Sequence, residues 1–148
     1  MIFDRTINDV RTASELRKSK VQKNIALSDS EKEIMERGTL SYDTLNRIEL
    51  KQEELMYILR QMGYYVIINN KRWTGEDIFT DAEFERIVEN NAALRKAFFV
   101  YPDSPMNAVA RYHYSEFNAL EKILHDLEQM IAYTKNEYRE CGTFECGG

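Results

Sequence analysis

The chain has 148 residues, 43% of them hydrophobic and 30% charged, with a net charge of −5 and a pI near 5.2. That is enough apolar material for one domain without disulfide staples, and two prolines and six glycines are too few for a linker or a collagen-like tract. The acidic balance favours solubility and gives no general attraction to nucleic acid.

In chain order, Thr6 with Asp9 reads as a capped helix start, and Ile7, Val10, Leu16 and Val21 give a thin apolar stripe on a polar helix over residues 1–24. Such a helix either lies lightly on the surface or packs against another chain. Its basic run, Arg11, Arg17, Lys18, Lys20 and Lys23, is interrupted and reads as a solvated face. Ser28 with Glu31 opens a second, short helix, which Gly38 closes by taking the left-handed conformation. Ser41 opens a third, with Leu45, Ile48, Leu55, Ile58, Leu59 and Met62 on one side and Gly63 at its end. Tyr64-Tyr65-Val66-Ile67-Ile68 is β-branched and aromatic. With Asn69-Asn70 as a turn and Lys71–Thr74 returning, it predicts a β-hairpin at about 64–74.

Thr80 with Glu83 opens a fourth helix, with Phe84, Ile87 and Val88 inward, a break at Asn90-Asn91, and a continuation through Leu94 and Phe98. Pro102 and Pro105 stop it, and residues 101–107 form the loop expected to hinge. From Ser115 to about Arg139, Phe117, Leu120, Leu124, Leu127, Ile131, Thr134 and Tyr138 alternate spacings of three and four, widened by Ile123 and Met130. This heptad helix would be ~37 Å long at about 1.5 Å per residue. It serves either an intramolecular bundle with the third helix or self-association around an axis. The fold expected is therefore mainly α: a helical bundle with a small hairpin and a long C-terminal heptad-patterned helix. Its parts are 1–24, a polar helix; 28–101, a helical core carrying the hairpin; and 102–148, a loop, the long helix and a cysteine-containing tail.

Chemistry is sparse. His113 and His125 are more than three turns apart on one helix and cannot share an ion, and His113 reads as a packing or capping residue. No nucleophile stands with a positioned base, no glycine loop cradles a phosphate, and pairs such as Glu53 with Glu54 or Glu83 with Glu85 read as solvated surface. No cofactor and no enzymatic activity are expected. Cys141 and Cys146 are open to three readings: free thiols, a disulfide (a small loop or a crosslink between subunits), or half of a metal site. Trp73, Tyr64, Tyr65 and Tyr101 could stack on a sugar, though aromatic hairpins more often dock onto helices. No apolar run approaches the roughly 20 residues of a membrane span, so no membrane insertion is expected. Met1-Ile2-Phe3-Asp4-Arg5 lacks the pattern of a secretory signal, which implies synthesis and folding in a cytoplasm.

Several stretches, in order and across nearly the whole chain, carry a resemblance. They are residues 37–49 (RGTLSYDTLNRIE), 73–79 (WTGEDIF), 94–101 (LRKAFFVY), Tyr112-His113-Tyr114, 118–124 (NALEKIL), 138–142 (YRECG) and 145–147 (ECG). Together they resemble short proteins encoded among tail and host-recognition genes of phages and prophages of Gram-positive gut bacteria. The resemblance implies a virion setting (tail, baseplate or tail fibre) rather than a mechanism, and it transfers no functional residue. The reading is then a structural or adaptor component of a virion, made in the host cytoplasm, forming homo-oligomers and contacting other virion proteins, with no nucleic acid as partner. Phe117, Leu120, Leu124, Leu127 and Ile131 on the long helix, with Tyr65 and Trp73, are the expected interface residues. Two alternatives stand beside it: a carbohydrate- or receptor-binding module using the hairpin aromatics, and a small regulatory protein binding a host factor.

Overall fold

Hydroxyl caps set where four helices begin. Thr6, Ser28, Ser41 and Thr80 each hold an extended backbone and accept the amide three residues on. They open α1 (Ile7–Ser19), α2 (Asp29–Gly38), α3 (Tyr42–Gln61) and α4 (Asp81–Ala97). At Thr6 and Ser28 the bond is reciprocal, with Asp9 and Glu31 reaching back to the cap amide. At Thr80 only one half forms, because Glu83 turns instead to Arg86 and Lys71. A 3-10 turn at Val21–Lys23 and left-handed Asn24 follow α1. The last helix is α5 (Tyr114–Thr143). The structure, a computed structural model, describes residues 1–99, 102–105 and 113–143, without the side chains of 138–143; among these it is helical with no strand.

Two helical units result. α1 and α2 form an antiparallel hairpin, tied by Lys20 to Glu31 (2.6 Å) at one end and by Gly38 at the other. A Cβ on Gly38 would stand 2.1 Å from the Asp9 carbonyl and 2.5 Å from the Ala13 Cβ. Gly38 is therefore needed for close helix approach. It does not take the left-handed closing conformation expected of it, which among the described glycines belongs to Gly63 (φ 93°). α3, α4 and α5 pack around Ile48, Leu55, Leu59, Phe84, Ile87 and Leu94. Residues 1–5 lie along α5, where the Phe3 ring meets His125 at 5.0 Å.

Three expectations change. The heptad residues Phe117, Leu120, Leu124, Leu127 and Ile131 all lie inside this core, none more than 5% exposed. α3 and α4 already cover the stripe, so the bundle reading holds and no seam remains for a second copy at those five positions. The hairpin is absent: residues 64–73 form a single extended strap running antiparallel along α3. Asn69 and Asn70 lack the positive φ that a two-residue hairpin turn requires, and helix side chains take over the missing strand's role. Asn90 accepts from the Asn69 amide and donates to its carbonyl; Glu49 and Asn46 accept from the Lys71 and Trp73 amides. Finally, α4 does not break at Asn90-Asn91, since both amides are buried and bonded across the bundle.

Candidate functional site

Two buried carboxylates organise the polar interior. Glu49, on the inner side of α3, accepts from the Lys71 amide (2.6 Å), the Trp73 indole (2.6 Å) and both terminal nitrogens of Arg86 (2.6 and 2.9 Å). Its hydrogen bond holds the Arg86 pKa above the ordinary arginine value, against the opposing effect of burial. Glu121 on α5 accepts from the Ile2 amide and Arg5 (2.5 Å each) and from Arg47 (2.9 and 3.3 Å). Each carboxylate is saturated by four donors, so it has no free lone pair with which to take a substrate proton. Their chemistry is to bolt the strap and the N-terminal segment onto the bundle.

Between them, Gln52 donates to Asn91 (2.7 Å) and to the Ile87 carbonyl (2.9 Å), and Asn91 donates to the Leu120 carbonyl (3.1 Å). This chain of amides crosses α3, α4 and α5, and no buried side-chain polar atom among the described residues lacks a partner. A sequence signal for these residues exists. Glu49 and Gln52 fall between Leu45 and Leu55 on the apolar side of α3, and Glu121 falls between Phe117 and Leu124, so each is a polar residue at a core position.

Two shallow depressions, each of about 240 Å³, meet at Leu40. One is lined by Arg5, Arg37, Thr39, Tyr114 and Phe117, the other by Tyr42, Trp73, Asp77 and Phe79. Both are below the roughly 300–1,000 Å³ of small-molecule sites. In the second, Lys71 sits 2.8 Å from Asp77 and 4.3 Å over the Trp73 ring. The Lys71 hydrogen bond, followed by those of the Thr74 amide and hydroxyl, pushes the Asp77 carboxyl down to about 2. Among the described residues no group of three His, Cys, Asp or Glu is placed to hold a metal.

Of the expected site residues whose side chains are described, only Tyr65 is at the surface, 83% exposed. Trp73 is 4% exposed, with Phe79 against one edge and its indole N–H on Glu49, so it cannot meet a sugar or a partner. Tyr64 packs edge-on against Phe98. Thus no stacking platform forms from Trp73, Tyr64 and Tyr65, and Tyr101 lies outside the described residues. His113 caps α5 through Ser115 and packs on Tyr114, while His125 meets the Phe3 ring at a tilt. The pairing of Cys141 with Cys146 also lies outside the described residues. Of the expected hinge, Pro102–Pro105 is tethered: Ser104 bonds Asp126 and Arg95 donates to the Pro105 carbonyl. The rest of that loop lies outside the described residues.

The exposed large apolar side chains were not anticipated. Ile67 (61%) stands beside Tyr65 on the outer face of the strap, and Tyr57 is exposed one turn before Arg60, which holds the Val66 carbonyl. Ile78 (80%) precedes α4. Compared with known proteins, the chain matches no family model, no curated protein and no solved structure.

Proposed function

We propose that this chain works by protein–protein assembly, as a structural or adaptor component of a phage tail, baseplate or fibre attachment. The observation that carries the assembly reading is the outer face of the strap. Tyr65 and Ile67 project side by side into solvent, while the buried ionic groups Glu49 and Glu121 are saturated in holding the fold. Large aromatic and β-branched residues this exposed gain from being covered by a partner, at about 25 cal/mol per Å² of apolar surface removed from water. The virion setting rests on the sequence resemblance. A tail component recognises, attaches or spaces its neighbours and needs no active site.

Mass spectrometry of purified particles, with and without reductant, tests this. A virion component occurs at fixed stoichiometry to the other tail proteins and reports the state of Cys141 and Cys146 at the same time. Presence in infected cells together with absence from particles rejects the adaptor reading and favours a regulatory protein.

A further inference from the structure

We infer that copies of this chain associate head to tail, the α1–α2 hairpin tip of one copy docking on the outer face of α4 of the next. The inference rests on the assembly reading and supplies its partner. Two separate surfaces carry it. Between Thr6 and Ile25 five cations stand against two carboxylates, so a stretch of net charge +3 belongs to a chain of net −5. Arg17, Lys18 and Lys23 at its far end are exposed and make no ion pair among the described residues, and Val21 (41%) and Ile25 (50%) are exposed beside them. Lys20 alone is engaged, with Glu31.

The second surface has the opposite sign and the same mixed character. Asp81, Glu85 and Glu89 recur every four residues along α4, all exposed, with no ion pair among the described residues. Like charges at that spacing repel one another along a helix, so a cation from outside relieves them. Ile78 stands exposed one turn ahead of them. A basic tip with two aliphatic side chains thus faces an acidic stripe with one, and within one copy no bond joins the two. Three acidic residues at intervals of four span ~12 Å of helix, and the basic tip opposite them comprises Arg17 and Lys18 at the end of α1 and Lys23 in the 3-10 turn that follows it. Because the contact uses two different patches, it leaves one of each free at the ends of a dimer, and so builds a ring or an open filament.

Sedimentation or light scattering of the full chain, from about 20 mM salt to about 1 M, where the Debye length falls to about 3 Å, reads this directly. The weight-average mass is expected to rise above 17.5 kDa with concentration at low salt and return to it at high salt. Arg17→Glu with Lys18→Glu, and separately Glu85→Lys with Glu89→Lys, should each be monomeric, while an equimolar mixture of the two variants associates again. A wild type that stays at 17.5 kDa at low salt, variants that associate as fully as wild type, or a mixture that stays monomeric overturns the contact. Circular dichroism confirms that both variants are folded, since all four side chains are at the surface. A monomeric wild type leaves the adaptor reading to the particle assay, and absence from particles leaves the measured association standing.

Discussion

Glu49 shows how one residue can join three parts of a fold. It sits fully buried on α3, yet its four donors come from the strap and from α4. Removing it strands the Trp73 indole and leaves Arg86 with Glu83 and the Asn69 carbonyl alone. Breaking a buried pair from one side costs about 3–5 kcal/mol, because the remaining charge is left unpaired. Because Arg86 keeps Glu83, Glu49→Ala should lower unfolding free energy by no more than that amount in urea titration, and Trp73 emission should shift to longer wavelength as the strap lifts. Asp77 acts on the same strap from the surface. Its carboxyl titrates at about 2 when folded, below the ordinary 3.8, so its contribution is complete above the ordinary value and is lost as pH falls through about 2. Trp73 fluorescence should report that acid step. Asp77→Asn should lack it, already showing at neutral pH the signal that the wild type reaches in acid.

At the scale of elements, α5 and the strap illustrate how tertiary context decides what a pattern is for. The heptad stripe from Phe117 to Ile131 is real, but its residues are buried in the core that α5 shares with α3 and α4 of the same chain. Leu124→Ala should consequently destabilise the monomer by about 2–5 kcal/mol, the usual cost of a large-to-small change at a buried leucine. Thermal melts followed by circular dichroism would show this at any protein concentration. A melt that depends on concentration in the wild type and not in the variant would instead place Leu124 between subunits. The strap keeps the in–out alternation of a β-strand over 64–70, with Val66 buried between exposed Tyr65 and Ile67, and shifts phase at Asn70-Lys71, so that Arg72 is exposed and Trp73 buried. Asn46, Glu49, Arg60 and Asn90 satisfy part of its backbone in place of a ladder, and they fix its register along the two helices.

For the whole molecule, the proposed recognition falls on residues other than those that carry stability. The core and the two carboxylate hubs hold the bundle, while Tyr65, Ile67 and Tyr57 lie outside it. Tyr65→Ala should change unfolding free energy by no more than about 0.5 kcal/mol, as surface substitutions do, yet reduce capture of a virion partner in pull-down or crosslinking. Retention of the partner by Tyr65→Ala and Ile67→Asp alike would remove the strap from the interface. The head-to-tail contact would lie elsewhere, on α1 and α4, so a subunit could hold its own kind and a different protein simultaneously.

How much of this was legible in the sequence depends on range. Local chemistry reads directly: the hydroxyl caps at Thr6, Ser28, Ser41 and Thr80, the left-handed Gly63, and the apolar periodicities of α3 and α5 depend on residues three or four apart. These determined the mainly helical fold. What tertiary structure alone decided was which surfaces meet. Phe117 to Ile131 could have faced a second copy, Tyr64 to Thr74 could have paired with itself, and Gly38 could have been a cap. Each was settled by a neighbour 30 or more residues away or by a side chain from another helix. Periodicity records that a face must be covered, and the packing partner that covers it is a property of the folded chain.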